Sequence, residues 1–319
     1  MFARLYCLFF LCALMSAAQA SDAAMAVTVP MQPVKLGEHS YFVQGQSGAA
    51  SSENQGFMSN AGFVVTPAGV VVFDALASPP LAEKLLGLIR KVTPQPVRIV
   101  VVSHYHADHF YGLQVFKAAG AEIWAHRAAE GATRSEGAAA RLAQRKEALF
   151  PWVDEHTRLL EADRFLEGDT DFELGGVHFA LRHVGPAHSS EDMAMLVRED
   201  GVLYAGDLVF RGRVPYVGDA DSRAWIGALD RLIALKPRVL VPGHGSPSTD
   251  PEPDLVFIRD YLKYLRQEMG RAARDFVPFE EAYAQTDWSQ YRDLPAFEES
   301  NRVNAYNQYL RLEQEGVEQ

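Results

Sequence analysis

Between Arg98 and His109 the chain reads R-I-V-V-V-S-H-Y-H-A-D-H, and this stretch restricts the fold more tightly than any other. The first half is a short apolar, β-branched run, the pattern of a strand buried on both faces. The second half puts three imidazoles and one carboxylate into six positions. Each of these groups needs a polar partner when buried, and a packed core has no use for four of them at the end of one strand. A metal centre does, because neutral imidazole nitrogens and carboxylate oxygens are the usual non-thiolate zinc ligands. His104, His106 and Asp108 are two apart, so an extended chain projects them to one side. His109 breaks that alternation and is placed to serve a second metal about 3.5–4 Å from the first. A helix is predicted from Phe110 to Ala119, ended by Gly120. The cluster therefore closes a strand and opens a helix, which is where α/β sheets build their sites.

Before this segment, short strands are predicted at Val34 to Leu36 and Ser40 to Val43, behind an unstructured leader over 21–33. Residues 44–60 are rich in Gly, Ser, Ala and Asn and read as a mobile loop. Phe57 and Met58, its large apolar residues, are expected at the tip of a flap over the site. Ala61 to Thr66 and Val70 to Phe73 form a hairpin around Pro67-Ala68-Gly69 that ends at Asp74. A helix over Pro79 to Val92 follows, stopped by Pro94 and Pro96. The same order recurs downstream. A hairpin over Met193 to Val197 and Val202 to Ala205 leads to Asp207, then a helix (Ser222 to Leu235), a strand (Arg238 to Val241) and His244. Two such halves packed sheet to sheet, with helices outside, predict an α+β, four-layer αββα sandwich. Between the halves the pattern predicts a strand at Glu122 to Ala125, one Ala-rich helix over Arg127 to Phe150 and a β meander over Phe165 to His183. Residues 251–319 change character to two helical stretches, Leu255 to Arg271 and Asn301 to Glu315, a C-terminal helical extension to a catalytic domain at 21–250.

At 319 residues and 48% hydrophobic, the chain is long enough for a full core. Met1 to Ala20 carries one early Arg4, an apolar stretch and Ala18-Gln19-Ala20, the form of a cleavable secretory signal. Both cysteines, Cys7 and Cys12, fall within it, so the mature chain is expected to use no thiol as ligand or nucleophile. A periplasmic or secreted protein with no membrane anchor after cleavage is the expectation. A formal charge of −11 argues against nucleic acid as a partner and leaves a small-molecule substrate.

The run His104-Tyr105-His106-Ala107-Asp108-His109 resembles the H-x-H-x-D-H signature of the metallo-β-lactamase-fold hydrolases. That resemblance calls for a further His, Asp and His. His188 follows Gly185-Pro186-Ala187 at the end of the meander, Asp207 ends a buried run at Tyr204-Ala205-Gly206, and His244 ends Val241-Pro242-Gly243. What the resemblance implies is one zinc held by His104, His106 and His188, another by Asp108, His109 and His244, and Asp207 bridging them. Two zinc ions per chain are implied, with iron as the alternative. The bridging Asp is similar to the arrangement in glyoxalase II and in periplasmic zinc metallohydrolases linked to sulfur oxidation and quinoprotein systems, and the likeness covers roughly residues 34–250. Asp74 lies outside the ligand pattern and is expected to orient a metal-binding loop, with a plain strand-end turn as the alternative. Arg211, Arg213 and Tyr216, in the loop after Asp207, are expected to touch an anionic substrate.

Two bridged zinc ions lower the pKa of a shared water to about 7. The implied chemistry is attack of that hydroxide on the carbonyl of a thioester, ester or lactone, with Asp108 orienting the nucleophile. Hydrolysis of β-lactams is the alternative, followed by a single-iron sulfur dioxygenase on the same ligand motifs.

Overall fold

The computed structural model describes residues 26–46, 48–218 and 220–317. The signal segment expected at 1–20 lies outside them. Two sheets form the centre. The first has seven strands in chain order: β1 (Val34–Lys35), β2 (Ser40–Val43), β3 (Ala61–Thr66), β4 (Gly69–Phe73), β5 (Val97–Val101), β6 (Glu122–His126) and β7 (Arg164–Leu166). Its first four strands pair antiparallel and β4 to β7 pair parallel. The second sheet has β8 (Thr170–Leu174), β9 (Val177–His183), β10 (Met193–Val197), β11 (Val202–Tyr204) and β12 (Val239–Val241), with only β11–β12 parallel.

Side-chain alternation explains the layering. In β4, Val71 and Phe73 face the second sheet, whereas Val70 and Val72 face the helices α1 (Pro79–Val92) and α3 (Leu113–Ala118). In β10, Met193, Met195 and Val197 meet the first sheet, and Ala194 and Leu196 face α5 (Ser222–Ala234) and α6 (Pro251–Arg274). The strands read as continuous apolar runs because both of their faces are buried. The four-layer αββα arrangement follows, as expected from sequence.

Several local expectations are corrected. The 26–33 stretch has no regular element, yet Val29 and Met31 are buried in the core over α1. The helix expected over 110–119 is split into α2 (Ala107–Phe110) and α3. At the break, a Cβ on Gly112 would lie 2.0 Å from the Ala75 carbonyl, so the backbone passes where no side chain fits. Asp108 and His109 thus sit on a helical turn, and the extended alternation stops at His106. The single helix over 127–150 becomes two 3-10 turns, Arg127–Ala129 and Ala132–Arg134, then α4 (Glu136–Leu149), capped when the Ser135 hydroxyl accepts the Ala138 N–H. The meander lacks its first strand, because β7 joins β6 in the other sheet.

The C-terminal residues form α6, α7 (Phe279–Gln285), a π-helical turn (Phe297–Asn301) and α8 (Arg302–Val317). Their apolar faces (Leu262, Met269, Phe279, Tyr291, Phe297) join the same core as α5 and the outer face of the second sheet. A buried polar row on α8 grips the loop after β11. Asn304 accepts the Val217 N–H at 2.9 Å and donates to the Pro215 carbonyl at 2.8 Å, while Asn307 donates to the Gly218 carbonyl. None of the helices among the described residues is long and apolar enough to cross a membrane.

Candidate metal centre

Seven ligand-type side chains converge where strands of both sheets end. His104 and His106 come from the turn after β5, Asp108 and His109 from α2, and His188 from the loop after β9. Asp207 comes from a 3-10 turn (Gly206–Leu208) after β11, and His244 from the turn after β12. They fall into two groups, His104/His106/His188/Asp207 and Asp108/His109/His244, whose ligand atoms within each group lie within 4.8 Å of one another. Asp207 reaches both. Its Oδ2 is 3.6 Å from His188 Nε2 and 3.9 Å from His104 Nε2, while its Oδ1 is 3.1 Å from His109 Nε2 and 3.2 Å from His244 Nε2. Asp108 Oδ2 lies 3.3 Å from both His109 Nε2 and His244 Nε2.

A metal fits these donors better than hydrogen bonding does. His104 Nε2, His109 Nε2 and Asp207 Oδ1, which face the cluster, are buried and make no hydrogen bond, an expensive state unless another partner satisfies them. The opposite ring edges are satisfied. His109 Nδ1 donates to Asp74 Oδ2 at 2.9 Å, and His244 Nδ1 to the Met58 carbonyl at 2.9 Å. The Ser103 hydroxyl donates to Asp74 Oδ2, so its oxygen is free to accept from His104 Nδ1 at 2.9 Å. With Nδ1 protonated, Nε2 presents its lone pair, which is how an outer partner sets the tautomer of a metal-binding imidazole.

Electrostatics points the same way. Burial lowers His104, His106 and His188 from the ordinary imidazole range, the last to about 3, so these rings are neutral donors. Burial opposes charge on His109 and His244 too. The carboxylates of Asp207 and Asp108 outweigh it, with Asp74 adding to the effect at His109, and raise His109 well above its usual value and His244 to about 9. Burial also opposes ionisation of Asp108 and Asp207, but the imidazoles of His109 and His244 hold both well below the carboxylate range. Ionised carboxylates gathered in a buried pocket demand positive charge, and a pair of cations supplies it.

Asp74 is therefore an orienting group rather than a bare turn residue. It also accepts the Ser103 N–H at 2.7 Å and has left-handed backbone, φ +66°. Ser59, next to Met58, donates to the Asp108 carbonyl at 2.5 Å, and Asn60 donates to the carbonyls of Pro242 and Gly245 at 2.8 Å each. Residues 58–60 thus brace the metal centre. Phe57, expected at a flap tip, is 0% exposed and packed in the core, so it is not a substrate contact. Its apolar bulk in a polar loop marks an anchor.

A cavity of about 690 Å³ opens over the cluster, within the usual range for small-molecule sites. Met58, Asp108, Arg213 and Tyr216 line it, as expected. Arg211 does not. It pairs with Asp254 at 2.9 Å and bonds Ser246 at 2.7 Å, tying its loop to the start of α6. The cavity's far walls were missed in the sequence. They come from Arg141, Gln144 and Arg145 on α4 and from Pro295, Glu299 and Ser300 at the π-helical turn. The i, i+4 arginines of an Ala-rich helix were the only signal.

The model of the metallo-beta-lactamase superfamily matches residues 54–244. The linear primary-alkylsulfatase of Pseudomonas sp. (strain ATCC 19151) is 23% identical over 244 residues, 65% of this chain and 46% of that protein. The acyl-coenzyme A thioesterase MBLAC2 of Gallus gallus is 30% identical over 168 residues, covering 47% of this chain and 57% of that protein. Among solved structures, the stereoselective inverting sec-alkylsulfatase Pisa1 from Pseudomonas sp. superposes with a TM-score of 0.67 at 18% identity, covering 88% of this chain and 50% of that one. The chain thus spans about half the length of the alkylsulfatases it matches. The 88% exceeds what residues 1–250 make up, so the likeness in fold extends past residue 250. With its His/Asp cluster on this fold and the family match covering more than half its length, the chain belongs to the metallo-beta-lactamase superfamily.

Proposed function

We propose that the protein is a dinuclear zinc hydrolase that cleaves a carbonyl substrate, a thioester, ester or lactone. The observation that carries this reading is the Asp207 carboxylate, which offers one oxygen to each of two imidazole groups. The donor set of imidazole and carboxylate without thiolate suits zinc. His104, His106, His188 and Asp207 would hold one ion, and Asp108, His109, His244 and the other Asp207 oxygen the second. When bound, such a pair supplies Lewis acidity, making water nucleophilic near neutral pH and drawing charge from the substrate oxygen.

The chain's own groups do the rest. The Asp108 side chain is 12% exposed at the cavity, against 6% for Asp207, so Asp108 is the carboxylate placed to accept a hydrogen bond from the attacking water and fix its direction. Arg213 stacks over the Phe210 ring at 5.8 Å, and Phe210 stacks in parallel on His244 at 5.0 Å. One ring therefore separates the guanidinium from the metal ligands. Arg213 has no carboxylate partner within ion-pair distance among the described residues, which suits it to an anionic part of the substrate. Met58, Phe210 and Pro295 supply apolar wall.

Cleavage of an alkyl sulfate is the second reading, favoured by the likeness to alkylsulfatases in sequence and, past residue 250, in fold. The test is metal analysis of the purified protein together with a panel of thioester, carboxylate ester, chromogenic cephalosporin and dodecyl sulfate. Two zinc ions per chain with turnover of a carbonyl substrate is the expected result. Turnover of dodecyl sulfate alone transfers the site to the second reading. One iron per chain with oxygen consumption removes both.

A further inference from the structure

Arg141, Gln144 and Arg145 of α4 line the same cavity as the His/Asp cluster. The two arginines are four apart, hence on one helix face, where like charges repel unless an anion sits between them. Neither has a carboxylate within ion-pair distance among the described residues, in a chain with a formal charge of −11. The cavity's acidic side chains, Asp108, Asp207 and Glu299, belong to the other walls. Burial lowers the Arg213 pKa, and the carboxylates of Asp207, Glu299 and Asp108 act against that. Met58, Phe210 and Pro295 give the cavity apolar lining.

Resting on the hydrolase reading above, we propose that the substrate is two-ended. Its scissile acyl group sits at the metal cluster, an apolar segment crosses the cavity, and a terminal oxyanion, carboxylate or phosphate, is held by Arg141 and Arg145. Guanidinium groups suit both oxyanions through paired N–H donors. Arg141 is exposed and Arg145 half-buried, so Arg141→Gln with Arg145→Gln removes the charges while leaving the stems to pack.

Calorimetric titration of the zinc-loaded full chain with octanoate, suberate and 8-phosphonooctanoate tests this without turnover. One acid group of each probe is available to the metals, and only the latter two carry a second. The expected result is suberate or the phosphonate binding about tenfold tighter than octanoate, with that ratio falling towards one in the double variant. The tighter of the two identifies the oxyanion. Equal affinity for all three, or a ratio the variant does not change, overturns the proposal. S-phenyl thiooctanoate and the S-phenyl monothioester of suberic acid are assayed in parallel. A binding preference without thioester turnover leaves the α4 subsite standing and removes thioesters from the hydrolase reading. Turnover without a preference does the reverse.

Discussion

The two halves of the molecule run the same course and put their aspartates to different use. In the first, the β3–β4 hairpin leads to Asp74, α1, β5 parallel to β4, and His104. In the second, the β10–β11 hairpin leads to Asp207, α5, β12 parallel to β11, and His244. Asp74 follows directly on β4, and its oxygens are taken by Ser103 and His109. Asp207 stands two residues further from its strand, beyond Ala205 and Gly206, and Gly206 has φ +52°. That extra turn carries the carboxylate past the supporting layer and in among the imidazoles. A small change in reach at one strand end thus separates a carboxylate bonded to one imidazole from one that stands among four.

The largest effect expected from breaking this contrast is at Asp207. Asp207→Ala removes the carboxylate common to both groups. Bound zinc should fall below one per chain by elemental analysis, with turnover reduced on the order of 10³-fold, the loss of several kcal/mol of charge stabilisation. Retention of both ions would show that Asp207 does not join the groups. Asp74→Asn should act more gently, because Asn tolerates left-handed backbone and still accepts the Ser103 N–H. Losing the carboxylate behind His109 should weaken zinc by about 10- to 100-fold in chelator competition, and unchanged affinity would refute an orienting role.

Gly206→Ala tests the extra turn itself. A Cβ there would lie 2.8 Å from Ser103 Cβ on a positive-φ backbone, so a stability loss of about 1–3 kcal/mol in denaturant is expected. An unaffected midpoint would mean that the turn relaxes freely. The smallest effect belongs to Asp200, in the β10–β11 turn, which accepts the N–H groups of Glu38, His39 and Ser40 at 2.8–2.9 Å and links the two sheets. Burial opposes its ionisation, but these hydrogen bonds and the Ser40 hydroxyl lower its pKa below the ordinary value. Its contribution is therefore complete above the unfolded value, about 3.9, and fades as pH falls through the lower folded value. Asp200→Asn should cost about 1 kcal/mol at pH 7 and less in acid. An equal cost at both ends of that range would contradict the assignment.

The layer order and the clustering of the seven His and Asp side chains were legible because each is announced locally, by a buried run ending in a turn that bears a His or Asp. Chain order alone revealed the repeated halves. What the sequence hid depends on distant neighbours. Phe57 looked like a flap tip because nothing near it in sequence discloses the core that receives it. β7 and β8 are adjacent in the chain and look alike, and only the available edge of β6 draws β7 into the other sheet. Arg211 and Arg213 are two apart in one loop. One is claimed by Asp254 and the other left facing the cavity, a division decided by where α6 begins. The α4 arginines became meaningful only once that helix was seen to line the cavity.

The grip of α8 on the loop carrying Arg213 and Tyr216 bears on how this protein can be remade. The last helix acts as a mould whose Asn304 and Asn307 dictate the shape of a segment nearly ninety positions upstream. Transplanting that segment alone from a relative would deliver it without the mould. A truncation before α6 would leave the seven His and Asp side chains in the chain and discard the surface that shapes this loop of the cavity wall.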